Sequence, residues 1–185
     1  MTNLSVFNDA VLTGQHAEWS TPQDFFNRLD AEFHFTLDAA SSHSNAKCAK
    51  HFTKDEDGLV RSWAGERVWL NPPYSNGSRS GKYLRDWIEK AYRESRQGAL
   101  VVCLVPAKTD SVWFHDYVLK GEIRFIRGRI SFCDASNTPC RQQSKSVIEG
   151  RHGVNMNAPF ASMVIIFWPD DSNYLNGKMS GMRCK

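Results

Sequence analysis

No G-x-G occurs anywhere in these 185 residues, no C-x-x-C, and no apolar run long enough to span a membrane. The first absence removes the glycine-rich turn that usually cradles a nucleotide, so any such ligand has to be held by another turn. The second leaves five cysteines (Cys48, Cys103, Cys133, Cys140 and Cys184) without redox or zinc spacing. Their odd number fits reduced thiols, and the expected compartment is cytoplasmic. Cys133, Cys140 and His152 share one polar stretch, but their spacing matches no metal pattern, and no metal is expected. The first eighteen residues hold Asp9 and Glu18 and no apolar run, so no secretory signal is expected. A strong charge is missing too. The net value of +3 permits a nucleic-acid partner without demanding one. What remains is an ordinary globular composition, 41% hydrophobic and 12% aromatic, in a chain sized for one domain.

The chain divides into a loose arm over 1–18, a domain over 19–168 and a polar tail over 169–185. Thr21-Pro22 reads as a helix start, with Thr as cap and Pro at the first helical position. Phe33 to Leu37 reads as a strand ending at Asp38, and His51 to Thr53 as a second extended piece. The acidic turn Asp55-Glu56-Asp57-Gly58 follows. Arg67 to Leu70 is a strand that delivers Asn71, and Ser75 to Gly81 is a Gly/Ser-rich loop. Tyr83, Leu84, Trp87, Ile88, Ala91 and Tyr92 recur at helical spacing, with Gly98 placed to end that helix. Ala99 to Val105 is the continuous apolar run of a buried parallel strand. A helix over Asp110 to Lys120 and strands at Glu122–Ile126, Ile130–Phe132 and Ala161–Phe167 complete the pattern. Strands alternating with helices predict an α/β fold on a mostly parallel central sheet, with ligands beyond the carboxyl ends of its strands. Asp38 and Asn71 both fall at such ends.

Asn71-Pro72-Pro73-Tyr74, directly after the apolar Val68-Trp69-Leu70, carries the chemistry. Methylating an exocyclic amine requires two fixed hydrogen-bond acceptors and a flat surface. The Asn71 carboxamide oxygen is one acceptor and the Pro72 carbonyl the other, held by two consecutive fixed φ angles. Tyr74 offers a face for a flipped base. A Pro-Pro turn closing a strand is the plainer account of the same residues.

Taken in order, Trp19-Ser20-Thr21-Pro22, Phe35 to Ser41, Asn45-Ala46-Lys47-Cys48, Asp57-Gly58-Leu59 with Trp63, Asn71 to Tyr74 and Arg127-Gly128-Arg129 resemble the phage-type DNA adenine methyltransferase (Dam) family. The resemblance runs from about Trp19 to about Trp168. It implies a single-domain Rossmann-like methyltransferase fold, in a compact variant without a separate target-recognition domain. It also implies methyl transfer from S-adenosylmethionine to the exocyclic amine of adenine in double-stranded DNA, with no membrane and no obligate protein partner. Asn71, Pro72, Pro73 and Tyr74 would form the catalytic pocket. Thr21-Pro22 resembles the helix start that contacts the amino-acid part of the cofactor, and Asp38 the acidic residue that accepts from its ammonium group. A simple helix cap and a turn cap are the respective alternatives. With no G-x-G present, Ala39-Ala40-Ser41 has to make the cofactor turn. Asp55, Glu56 and Asp57 are candidates for the ribose hydroxyls, against an ordinary solvated turn.

Gripping DNA requires a basic surface. Arg124, Arg127 and Arg129 form a local cluster, and the segment 133–159 carries Arg141, Lys145 and Arg151. That segment is the expected DNA-facing insertion, with a passive surface loop as its competitor. Arg79, beside the catalytic motif, lies on a second rim, and Phe132 is placed to stack on the flipped base or to pack in the core. Two other classes compete with this function: the same chemistry on RNA or on a protein glutamine, and a non-catalytic DNA-binding module that keeps the fold.

Overall fold

A computed structural model describes residues 20–74, 83–132, 158 and 160–170. Helix α1 (Gln23–Phe33) leads into strand β1 (Leu37–Asp38), followed by β2 (Lys50–His51) and β3 (Arg67–Leu70). Helix α2 (Leu84–Ser95), strand β4 (Leu100–Pro106), the short helix α3 (Val112–Asp116), a 3-10 turn (Val118–Lys120), β5 (Glu122–Phe125) and β6 (Ser162–Phe167) complete the order.

The six strands form one sheet in the order β2-β1-β3-β4-β6-β5. Strands β1 to β4 run parallel to one another, whereas β6 is antiparallel to both β4 and β5. The sheet is therefore mixed, with β6 alone running against the direction of the other five strands. The apolar run Ser162–Phe167 is buried along its whole length, as a parallel core strand would be. Burial on both faces reports a central position and says nothing of direction.

The core lies on the two faces of β3, β4 and β6. Val68, Leu70, Val101 to Val105 and Met163, Ile165 and Ile166 are fully shielded from solvent. Helix α2 covers one face with Leu84, Trp87, Ile88 and Ala91, the same i, i+3, i+4, i+7 positions that its spacing predicts. On the other side α1 buries Phe26 and Phe33, and Phe26 sits edge-on to Trp69 at 5.5 Å.

Four local expectations shift. Phe33 belongs to α1 rather than to a strand, because His34 takes a left-handed φ of 51° and donates its N–H to Asp30 at 2.7 Å. The aromatic run Phe33-His34-Phe35 is thereby split by a helix end, leaving β1 only two residues. Pro22 occupies the cap position with ψ 136° and accepts from the Phe26 amide, so Thr21 lies one residue too early to cap. The expected helix over 110–120 breaks into α3 and the 3-10 turn at Tyr117. Ile130 to Phe132 is not a strand; the Ile130 carbonyl instead accepts from the Ala158 amide at 2.8 Å. Among the described residues no helix is long and apolar enough to cross a membrane.

Candidate active site at the carboxyl ends of β1 and β3

Strand order fixes where the site lies. After β1 the chain places β2 on one side and then β3 on the other, so the order reverses between β1 and β3. Crevices open at such reversals, beyond the carboxyl ends of the strands. Asp38 pairs with Trp69 across this line, and the Ala39 amide donates to the Trp69 carbonyl at 3.1 Å. Asn71 follows two residues later, so the sheet brings the two candidate residues to one edge.

Asp38 is buried, and its carboxylate closes the loop that follows β1. One oxygen accepts from the Lys47 amide at 2.9 Å and the other from the Ala40 amide at 3.4 Å. Burial pushes its pKa above the usual carboxylate range against the pull of those two amides. A cation placed beside it would favour its charged form. Lys47 also reaches out with its side chain, donating to Gln23 Oε1 at 3.0 Å. That contact draws the start of α1, with Thr21 and Pro22, to the loop that Asp38 organises.

Two hydroxyls here are buried without a partner, Thr21 Oγ1 and Ser41 Oγ. Leaving a hydroxyl unpaired costs about 1–3 kcal/mol, and a polar ligand atom beside either would remove that cost. Ser41 gave no signal of its own in the sequence. Gly58 was also missed as a site residue, although its close approach to Ala39 shapes the turn.

The acidic turn divides by role. Glu56 accepts from the Thr53 amide and hydroxyl at 2.9 and 3.0 Å, which lowers its pKa and marks it as a turn cap. Asp57 takes a φ of 55° and accepts from the Leu59 amide at 3.2 Å, while Asp55 is exposed at the tip.

At the other end of the crevice Pro72 is buried, Pro73 is exposed and Asn71 is half-buried. The Tyr74 hydroxyl donates to Asn71 Oδ1 at 2.6 Å and also approaches the Leu104 carbonyl of β4 at 3.0 Å. Its ring meets Phe132 and Phe160 edge-on, at 6.1 and 5.6 Å. Phe132 is completely buried and packs as core. Tyr74 also lines a cleft of about 310 Å³ with Tyr83, Pro106, Lys108 and Trp113. None of those four was a site candidate in the sequence, where Tyr83 figured only in a helical pattern.

The expected basic cluster separates. Arg124 is bound by Glu32 through two hydrogen bonds at 2.7 and 2.8 Å and by Glu122 at 2.8 Å. Arg127 and Arg129 are exposed, with Arg129 touching the Ala158 carbonyl at 3.3 Å. Arg79, Arg141, Lys145 and Arg151 lie outside the described residues.

Against this geometry, a sequence profile described as DNA N-6-adenine-methyltransferase (Dam) matches residues 10–172. The chain belongs to that family. Among curated relatives it is 32% identical over 98 residues to the DNA N-6-adenine-methyltransferase of Escherichia phage T1, covering 52% of this chain and 38% of the relative. It is 35% identical over 60 residues to the protein of the same name from Haemophilus phage HP1, covering 31% of this chain and 35% of the relative. The matches thus span little more than a third of either phage protein. Dam membership implies a methyl donor. It also makes the Asn71 to Tyr74 segment, at the reversal of strand order, the place to look for methyl transfer.

Proposed function

We propose that this chain is a DNA adenine methyltransferase with a Rossmann-like methyltransferase fold. It takes its methyl group from S-adenosylmethionine and delivers it to the exocyclic amine of an adenine turned out of the duplex. The observation that carries this reading is the placement of Asn71 and Pro72 beside Asp38, at neighbouring strand ends on either side of the reversal. The names of the two phage relatives support the choice of DNA adenine as substrate. Double-stranded DNA is the proposed partner and the cytoplasm the proposed compartment.

The residues present fit the donor. Thr21, with its unpaired hydroxyl and the open amides at the start of α1, suits a carboxylate. Asp38 suits an ammonium group, Ser41 offers a second unpaired hydroxyl, and Asp55 and Asp57 stand after β2 where ribose hydroxyls want carboxylates. Pro22 and Ala39 shape the walls around them. When bound, S-adenosylmethionine supplies an electrophilic methyl group.

The rest belongs to the chain. Asn71 Oδ1 accepts one amine proton and the Pro72 carbonyl the other, so the nitrogen lone pair leaves conjugation with the purine and becomes nucleophilic. Pro73 stiffens that carbonyl. The Tyr74 ring borders the cleft through which a base would reach it. Arg127 and Arg129 are the described cations proposed to meet phosphates, joined by Arg79, Arg141, Lys145 and Arg151.

The test is to incubate purified protein with labelled S-adenosylmethionine and separate pools of DNA, RNA and protein, then digest the labelled product. N6-methyladenine in DNA is the expected product. Label confined to RNA or protein would move the substrate, and DNA binding without label would make the chain a non-catalytic module.

A further inference from the structure

The crevice has a second side. In the order β1-β3-β4 the stretch after β4 stands across β3 from Asp38, away from the residues that suit the methyl donor. Pro106, Lys108 and Trp113 of that stretch line, with Tyr74 and Tyr83, the cleft of about 310 Å³, a volume at the small end of ligand-sized sites.

Lys108 is pinned by its backbone and unengaged by its side chain. Its amide donates to the Pro106 carbonyl at 2.9 Å, and its own carbonyl accepts from the Ser111 amide at 3.2 Å and the Ser111 hydroxyl at 2.7 Å. The residue is half-buried, yet among the described residues no hydrogen bond or ion pair engages its ammonium group. The other charges around the cleft do not answer it. Asp86 accepts from the Tyr83 amide at 2.8 Å at the head of α2, and Arg85 brings a second cation, 4.0 Å from Asp116. A partly desolvated cation without a partner is costly, and an anion beside it removes the cost.

We propose that Lys108 binds a phosphate next to the target adenine, so that the cleft holds the extruded nucleotide by its backbone while Asn71 and Pro72 hold its amine. This rests on the reading of the chain as a DNA adenine methyltransferase. Tyr83, exposed, and Trp113, buried, offer the same nucleotide aromatic walls. A lysine meets a phosphate as a point charge, without imposing one orientation on it. Its task differs from that of Arg127 and Arg129, which hold the duplex at large. Lys108 acts only on the nucleotide that has left the stack.

The experiment sets Lys108→Gln against duplexes in which one phosphate beside the methylated adenine is replaced by a neutral methylphosphonate, first on the 5′ side and then on the 3′ side. Single-turnover methylation is the readout. At one of the two positions neutralisation should slow the wild type about tenfold, the scale of one hydrogen bond to a charged group. Lys108→Gln should lose about as much on the native duplex, and combining the two changes should cost less than about twofold more. Losses that multiply would place the ammonium elsewhere and overturn the proposal, as would indifference to both neutral linkages or to the substitution. Affinity for S-adenosylmethionine should stay unchanged. A loss there would assign Lys108 to the donor's carboxylate and overturn the proposal too.

Protein labelled with 15N-tryptophan adds a readout that needs no turnover. Deoxyadenosine monophosphate, as its 5′ or its 3′ isomer, should shift the Trp113 indole signal of wild type at about tenfold lower concentration than deoxyadenosine does. In Lys108→Gln nucleotide and nucleoside should be equal. No shift in wild type, or no preference for either nucleotide, would overturn the proposal. A wild-type protein that methylates no adenine would count against the functional reading instead, leaving the nucleotide comparison to decide on Lys108.

Discussion

Gly58 lies so close under Ala39 that a Cβ added to it would run into the Ala39 carbonyl oxygen, with a ring carbon of Trp87 at 3.2 Å. The acidic turn after β2 and the loop after β1 are thereby stacked backbone on backbone. Gly58→Ala must push them apart. Overpacking of this kind costs about 1–3 kcal/mol, to be read from denaturant unfolding. Calorimetry with S-adenosylmethionine should show weaker binding as well, since Ala39 and Asp57 move in opposite directions. Wild-type stability and affinity together would remove this close approach from the site.

Arg124 and its neighbours separate into two classes with different salt behaviour. Replacing Arg127 and Arg129 by alanine should flatten the salt dependence of DNA affinity by roughly 0.9 in log–log slope for each phosphate no longer neutralised. Arg124→Ala should leave that slope alone and lower stability instead, because its guanidinium is committed to Glu32 and Glu122. A slope change in Arg124→Ala as large as in the double variant would reverse the assignment.

Asn71→Ala should reduce methyl transfer by about 100-fold or more, the scale for losing one transition-state hydrogen bond. Donor affinity should survive, because the hydrogen bond removed is one made to the adenine. Asn71→Asp should keep measurable activity at a reduced level. Adenine methylation at the wild-type rate by Asn71→Ala would defeat the mechanism.

Glu66 gives a pH signature. It accepts from Lys50 Nζ and from the Thr36 hydroxyl, both at 2.6 Å, fastening β2 and the approach to β1 to the foot of β3. Those bonds, the Lys50 one first, hold its pKa below the ordinary 4.5. A carboxylate depressed in the folded state adds stability above its unfolded pKa and loses it as pH falls through the folded one. The stability gap between wild type and Glu66→Gln should therefore be widest near neutral pH and close progressively below 4.5. Unfolding curves from about pH 7 to pH 3 measure it. A gap independent of pH would assign the effect to packing.

Much of the architecture was legible because it rests on local pattern. Arg67 to Leu70 falls where its apolar run predicts, and α2 buries the residues its spacing selects. The crevice was legible for the same reason, since Asp38 and Asn71 each end such a run. What escaped depends on partners far along the chain. The apolar run of β6 carries no mark of its direction. Arg124 reads as a free cation until Glu32, 92 residues away, comes to meet it. The link from Tyr74 to Asn71 spans only three residues, yet its geometry depends on Leu104.

The reversed direction of β6 has a consequence for how this protein can change. Since β6 runs against β5, the chain leaves the sheet after Phe125 and re-enters at Ser162 on the same edge, where Phe125 pairs with Met163 and Ile126 bonds back to Ser162. Both ends of the intervening stretch are clamped side by side, on the edge that also carries Asn71. Doubling its length adds only about 0.6 kcal/mol of closure entropy, and the strands on either side keep their register. On the proposal that residues 133–157 face DNA, exchanging them inside the bond between Ile130 and Ala158 would keep Phe132 and Phe160 in place against Tyr74.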